Sequence, residues 1–158
     1  MNNIFEDRDY LLWRLLMQTR NAILKLRAKE LSLYGLTPRQ AGIFGLLGAT
    51  KGDTNAYRMA KWLLLEPHTV SASLNRMEAK GIVKKSTVNK SGRKTSKFEL
   101  TDKGWEAYHK IMRFESIPKV LEVVTDEERE ALSSTLKKLR DETLRQIGIR
   151  TKLPYPPF

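Results

Sequence analysis

The chain has 158 residues, 41% of them hydrophobic and 30% charged, and a formal net charge of +11. That length supplies one hydrophobic core and is short for two, and the cation excess favours a polyanionic partner, nucleic acid ahead of an anionic membrane surface. The absence of cysteine excludes disulfides, thiolate metal sites and thiol redox sensing.

The first residues, MNNIFEDRDYLLW, lack a basic stretch followed by an apolar run, and no window approaches membrane-spanning length. A cytoplasmic protein without membrane contact is expected. From Asp9 to Leu33 there is neither Pro nor Gly, and Leu12, Leu16, Thr19, Ile23 and Leu26 recur at steps of four and three. This predicts a first helix of roughly 38 Å, longer than a small core covers, so part of it is expected to pack on another chain.

Gly35 suits the exit from that helix, and Thr37-Pro38-Arg39-Gln40 supplies a cap, a proline for the first helical position and a Gln three residues after the cap. A second helix is predicted over Pro38 to Leu47, ended by a loop from Gly48 to Asp53, and a third from Ala56 to Leu64. Glu66-Pro67 restarts the pattern. Val70, Leu74 and Met77 mark the buried stripe of a fourth helix over Pro67 to Lys80, closed by Gly81.

Residues 82–88 and 96–100 read as two strands joined by the polar segment Asn89 to Thr95. Thr101-Asp102 caps a fifth helix predicted to reach Glu115, with Trp105, Tyr108, Ile111 and Met112 along one side, before Pro118 interrupts. Thr125 to Glu128 is a second capping box and opens a last helix with Leu132, Leu136 and Leu139 at helical steps. This second apolar seam can partner the first. The tail Leu153 to Phe158, rich in proline, is expected to be extended.

The order helix, short loop, helix, glycine, basic hairpin is the winged helix-turn-helix plan. One helix fits the major groove and presents side chains to base edges, while an offset hairpin reaches phosphates or the adjacent minor groove. The charge follows this plan, because residues 51–104 hold twelve Lys and Arg against five acids, +7 of the chain's +11.

The buried stripe of the fourth helix leaves His68, Thr69, Ser71, Ala72, Asn75 and Arg76 for its outer side. Asn75 suits adenine, Arg76 guanine or phosphate, and the hydroxyls bases or backbone, with capping of the first turn an equal role for Thr69. In the wing, Lys90, Arg93, Lys94 and Lys97 surround Gly92, and Arg93 is the candidate for groove insertion. Lysines on a hairpin also discourage edge pairing; their coincidence with a recognition-type helix favours DNA.

With these segments in view, the chain resembles the MarR family of regulators. The resemblance rests on Leu36 to Gln40, on Val70-Ser71 through Arg76-Met77-Glu78-Ala79-Lys80-Gly81-Ile82-Val83, on Leu100-Thr101-Asp102-Lys103-Gly104, and on Thr125 to Glu128 through Leu136 to Leu139. It implies a dimer built from the first and last helices, a palindromic operator, and often a small-molecule pocket between the dimerisation and DNA-binding parts. Ala72 and Ser73 stand where many members have Arg and Leu, and Ser91-Gly92-Arg93-Lys94 lacks the usual acid beside its arginine.

The resulting expectation is a mainly α fold with a small β-hairpin wing: a single domain over 1–158, with a winged-helix core at 36–100 flanked by dimerisation helices and tail at 1–34 and 101–158. Leu12, Leu16, Ile23, Leu132, Leu136 and Leu139 are the expected dimer seams. Trp13, Met17, Tyr34, Trp105 and Tyr108 are candidates to line a pocket for a small aromatic or apolar effector, although core packing accounts for the same residues.

The histidines, His68 and His109, stand far apart in the chain and no glycine-rich phosphate loop is present, so neither catalysis, a metal site nor a cofactor is expected. The expected activity is that of a dimeric, sequence-specific duplex-DNA-binding repressor modulated by a small ligand. Two rival readings use the same fold, a protein-interaction adaptor and an RNA-binding winged helix.

Overall fold

The computed structural model describes residues 6–90 and 93–149, the side chains of residues 90 and 93–95 excepted. The side-chain roles expected of Lys90, Arg93 and Lys94, and the extended tail at 153–158, lie outside the described residues. The elements are α1 (Arg8–Ser32), α2 (Pro38–Ala49), α3 (Ala56–Leu63), α4 (Pro67–Ala79), β1 (Val83–Lys90), β2 (Arg93–Leu100), α5 (Asp102–Ile111), α6 (Ser116–Leu121) and α7 (Asp126–Gln146). They fall into two compact units, Met1–Ile117 and Pro118–Phe158. The fold is mostly helical with one antiparallel hairpin, as expected.

Within the first unit, the core is built on Phe44, Ile43 and Leu47 of α2, Leu31 at the end of α1, Met59 of α3, the Val70-Leu74-Met77 stripe of α4, and Val83, Phe98 and Leu100 at the base of the hairpin. Each element enters this core through a defined start or stop. Asp7 caps α1 by accepting from the Tyr10 N–H at 2.8 Å. Thr37 and Gln40 close a reciprocal capping box on α2, at 3.2 and 3.0 Å. Leu64 ends α3 in a left-handed conformation, φ 53°, and three residues later α4 begins at Pro67.

Gly81, at φ 69°, turns the chain from α4 into β1 in the left-handed region that glycine enters without strain. The hairpin register runs from Val83 opposite Leu100 to Lys90 opposite Arg93. Thr101 then donates its hydroxyl to the Gly81 carbonyl at 2.8 Å and accepts from the Gly104 N–H at 3.0 Å, tying the opening of α5 to that turn.

Beyond one-residue shifts at helix and strand ends, four features differ from the sequence expectation. Helix α2 continues through Gly48 and Ala49, because Gly48 faces the Tyr108 ring so closely that a Cβ there would lie 2.2 Å from it. Asn89 and Thr95 belong to the strands rather than to a joining loop, since the ladder extends to Lys90 and Arg93. Helix α5 stops at Ile111, not Glu115, and the chain turns at Phe114 with φ 49°. Pro118 lies inside the short α6, in whose first turn a missing N–H costs no helical hydrogen bond.

In the second unit, Thr125 and Glu128 form the expected capping box on α7, at 3.2 and 2.9 Å. Asp126, Glu127 and Glu128 occupy its first turn, where carboxylates complement the helix dipole.

Candidate nucleic-acid interface

Helix α4 is anchored from below and open above. Val70, Leu74 and Met77 are wholly buried and Ser73 nearly so, while His68, Asn75 and Arg76 are exposed and Thr69, Ser71 and Ala72 half-buried. All six expected recognition residues therefore retain accessible surface on one element, and the buried stripe holds that element rigidly against α2 and α3. The C-terminal end is secured by the Lys80 ammonium, which donates to the Gly35 carbonyl.

The hairpin follows directly. Its base is packed through Val83, Phe98 and Leu100, and beyond Phe98 the described side chains, Val88 apart, are polar and accessible. Lys97 is not a loose cation. It pairs with Glu99 at 2.8 Å, and Lys84, across the ladder, approaches the same carboxylate at 3.4 Å. Hydrogen bonding from Lys97 and then from Lys84 holds the Glu99 carboxyl below the usual carboxylate range.

Two clefts flank these elements. One, of about 540 Å³, runs between α1, the start of α2 and the inner flank of α4; its walls include Leu24, Pro38, Leu63 and Leu65, with Arg20, Arg39 and Arg76 and the hydroxyls of Thr37, Thr69 and Ser73. Apolar walls and guanidinium groups together suit a small organic anion. The other, of about 320 Å³, lies between the start of α3 and the side of the hairpin.

None of the five residues proposed as a ligand pocket lines the larger cleft. Trp105 and Tyr108 stack edge to face at 5.3 Å, and Tyr108 meets Phe44 at 6.3 Å, so both pack on the core. Trp13 pairs instead with Tyr10 at 5.7 Å, on an exposed stretch of α1. The convergence of Arg20, Arg39 and Ser73 on this cleft leaves no signal in the sequence, because nothing in their spacing joins them. Arg39 sits within the Thr37 to Gln40 motif, whose capping role accounted for it fully.

The expected dimer seams are also located. Leu12 is 53% exposed, and Leu132, Leu136 and Leu139 are 45%, 43% and 45% exposed, whereas Leu16 and Ile23 are half-buried. Leu11, Trp13 and Leu15, not named as seam residues, are about as exposed as Leu12.

Residues 34–94 match the sequence model of the MarR family. Among solved structures, the chain is similar to the organohalide-sensing RdhR transcriptional regulator in its 2,4-dichlorophenol-bound form, with 26% identity, a TM-score of 0.85, and coverage of 100% of this chain and 96% of that one. The ligand-free form of the same regulator gives a TM-score of 0.86 at the same identity and coverage. The S. aureus MepR–DNA complex shares the fold at 20% identity and a TM-score of 0.72, covering 90% of this chain and 99% of that one. No curated protein matches the chain.

Proposed function

We propose that the chain is a transcriptional regulator of the MarR family, whose sequence model matches residues 34–94, and that it binds duplex DNA as a homodimer and represses transcription until a small ligand enters it. The observation that carries the reading is α4: a helix wholly buried along Val70, Leu74 and Met77 and accessible at His68, Asn75 and Arg76, followed at once by a basic hairpin. On this reading residues 36–100 are the DNA-binding core, α4 enters the major groove, and the wing, with Lys90, Arg93, Lys94 and Lys97, meets the backbone and the adjacent minor groove. A DNA target also implies work in the cytoplasm; among the described residues no helix is long and apolar enough to cross a membrane.

Exposed leucines on α1 and α7 support the dimer. A palindromic operator follows from two-fold symmetry, with one half-site for each α4. The ligand reading rests on the cleft of about 540 Å³ and its three arginines, which suit a small aromatic or apolar molecule bearing an acidic group. Among the similar structures, one is bound to 2,4-dichlorophenol and one, CouR from Rhodococcus jostii, to p-coumaroyl-CoA.

The test is selection of bound fragments from genomic DNA, followed by titration of the selected duplex against random duplex and structured RNA. Enrichment of an inverted repeat, a steep linear fall of log affinity with log salt, and loss of discrimination in Asn75→Ala support the reading. Absence of duplex binding at low salt, or preference for RNA, overturns it. For the ligand, phenols and aromatic carboxylates should raise thermal stability and release DNA in the native protein, with both effects weakened in Arg20→Met.

A further inference from the structure

One arginine of α4 belongs to two surfaces. Thr69, Ser73 and Arg76 recur at steps of four and three, which puts them on one flank of the helix, and all three line the cleft of about 540 Å³. At 3.6 residues per turn, Arg76 stands about 20° around the axis from Thr69 in the cleft wall and about 40° from Ala72 on the outward side. It is exposed, and its guanidinium has no hydrogen bond or ion pair among the described residues. A long side chain at that boundary turns either into the cleft or out toward DNA.

The charge of the cleft decides which. Its walls carry three guanidinium groups and no carboxylate. Arg39 is unpaired among the described residues, and Arg20 reaches only its neighbour Asn21, at 3.3 Å. Like charges repel, so without an anion Arg76 is pushed away from the other two, whereas a carboxylate between them draws it inward. Ser73, 3% exposed, lines the same wall with a hydroxyl that has no partner among the described residues, so a polar occupant finds a hydrogen bond there as well.

We propose that effector and DNA compete for Arg76: the acidic group of the bound effector pairs with this guanidinium and takes it from the contact between α4 and DNA. The inference rests on the DNA-binding and ligand readings. Release is then the exchange of one cation between two anions. Arg20 and Arg39 set how tightly the effector binds, and Arg76 sets how far its binding weakens DNA.

The probe is 1-naphthoate, with the uncharged 1-naphthamide as its isostere, and the readout is affinity of the full chain for the selected duplex across a salt series. Saturating 1-naphthoate should weaken native DNA binding about tenfold and lower the salt slope by about one per protomer. In Arg76→Gln, DNA binding starts weaker, and the same saturation should change it less than twofold. Arg20→Met and Arg39→Gln should raise the naphthoate concentration required several-fold yet keep the tenfold effect at saturation. By linkage, DNA should weaken naphthoate binding to the native protein by the same tenfold. 1-Naphthamide should bind and leave DNA affinity within twofold.

If Arg76→Gln releases DNA as the native protein does, if naphthamide releases it as well as naphthoate, or if naphthoate binds without releasing it, competition for Arg76 is overturned and the DNA-binding regulator stands. If calorimetry finds no naphthoate binding to the native protein, the ligand reading of the cleft falls and this inference with it. If the native protein binds no duplex, the DNA reading falls too.

Discussion

Arg27 and Glu30, one turn apart on α1, meet at 2.7 Å and together grip the chain where it leaves α5. Arg27, 6% exposed, donates through Nη2 to the Ile111 carbonyl at 2.7 Å and lies 4.3 Å from the centre of the Phe114 ring. Glu30 accepts from the Glu115 N–H at 3.1 Å and from the Ser116 hydroxyl. The turn at Phe114, φ 49°, is thus held from both sides by one ion pair.

Burial raises the Glu30 pKa, but the contact with Arg27, the Ser116 hydrogen bond and the Arg27 charge together outweigh it and hold the carboxyl below its ordinary value. A carboxyl whose folded-state pKa is lowered stabilises the fold above its unfolded pKa, and that stability is lost as pH falls through the lowered value. Urea unfolding across the acid range should show this loss in the native protein and a flatter profile in Glu30→Gln. Arg27→Met, which leaves Glu30 without its cation, should cost about 3 kcal/mol at neutral pH. An unchanged acid limb in Glu30→Gln would refute the assignment.

Gly104 is a packing requirement. A Cβ at that position would stand 2.1 Å from the Ile82 carbonyl oxygen, a backbone atom that cannot swing away. Gly104→Ala should therefore destabilise by about 1–3 kcal/mol despite alanine's better helix propensity. Thermal melting decides this, because a gain in melting temperature would mean that α5 shifts freely along the hairpin base.

Glu99 restrains two wing-side lysines, so Glu99→Gln should release Lys97 and Lys84 toward DNA. Affinity for random duplex at low salt is expected to rise about two- to fivefold with a steeper salt slope, and the gain should vanish at high salt. Equal affinities at every salt concentration would mean that neither lysine faces phosphate.

The leucines of α7 offer a direct test of assembly. Leu136 and Leu139 are 43% and 45% exposed, and placing Glu at both should shift sedimentation toward the monomer and weaken operator binding in parallel. Loss of operator binding without dissociation would assign these positions a role other than the dimer seam.

Much of this molecule is local chemistry written along the chain. The capping boxes at Thr37-Gln40 and Thr125-Glu128 could be read directly, because each is closed by groups three residues apart. The buried stripe of α4 was equally legible, since helical spacing alone puts Val70, Leu74 and Met77 on one side. The end of α5 was not legible. Nothing between Met112 and Glu115 breaks a helix by composition, and the chain turns there where Arg27 and Glu30, more than eighty residues earlier, hold it.

The two clefts divide in the same way. The sequence by itself determined the basic hairpin, the outward side of α4 and the exposed leucine seams, because those properties depend on periodicity and charge over a few turns. Only the tertiary structure decided that Arg20, Arg39 and Arg76 share one cleft, and that Thr54 and Arg58 meet the side of the hairpin in another. The physical reason is that convergence of distant side chains follows from packing, and packing leaves no period in the sequence. For the helix and hairpin offered to DNA, the chain therefore specified the surface, and the fold specified what stands beside it.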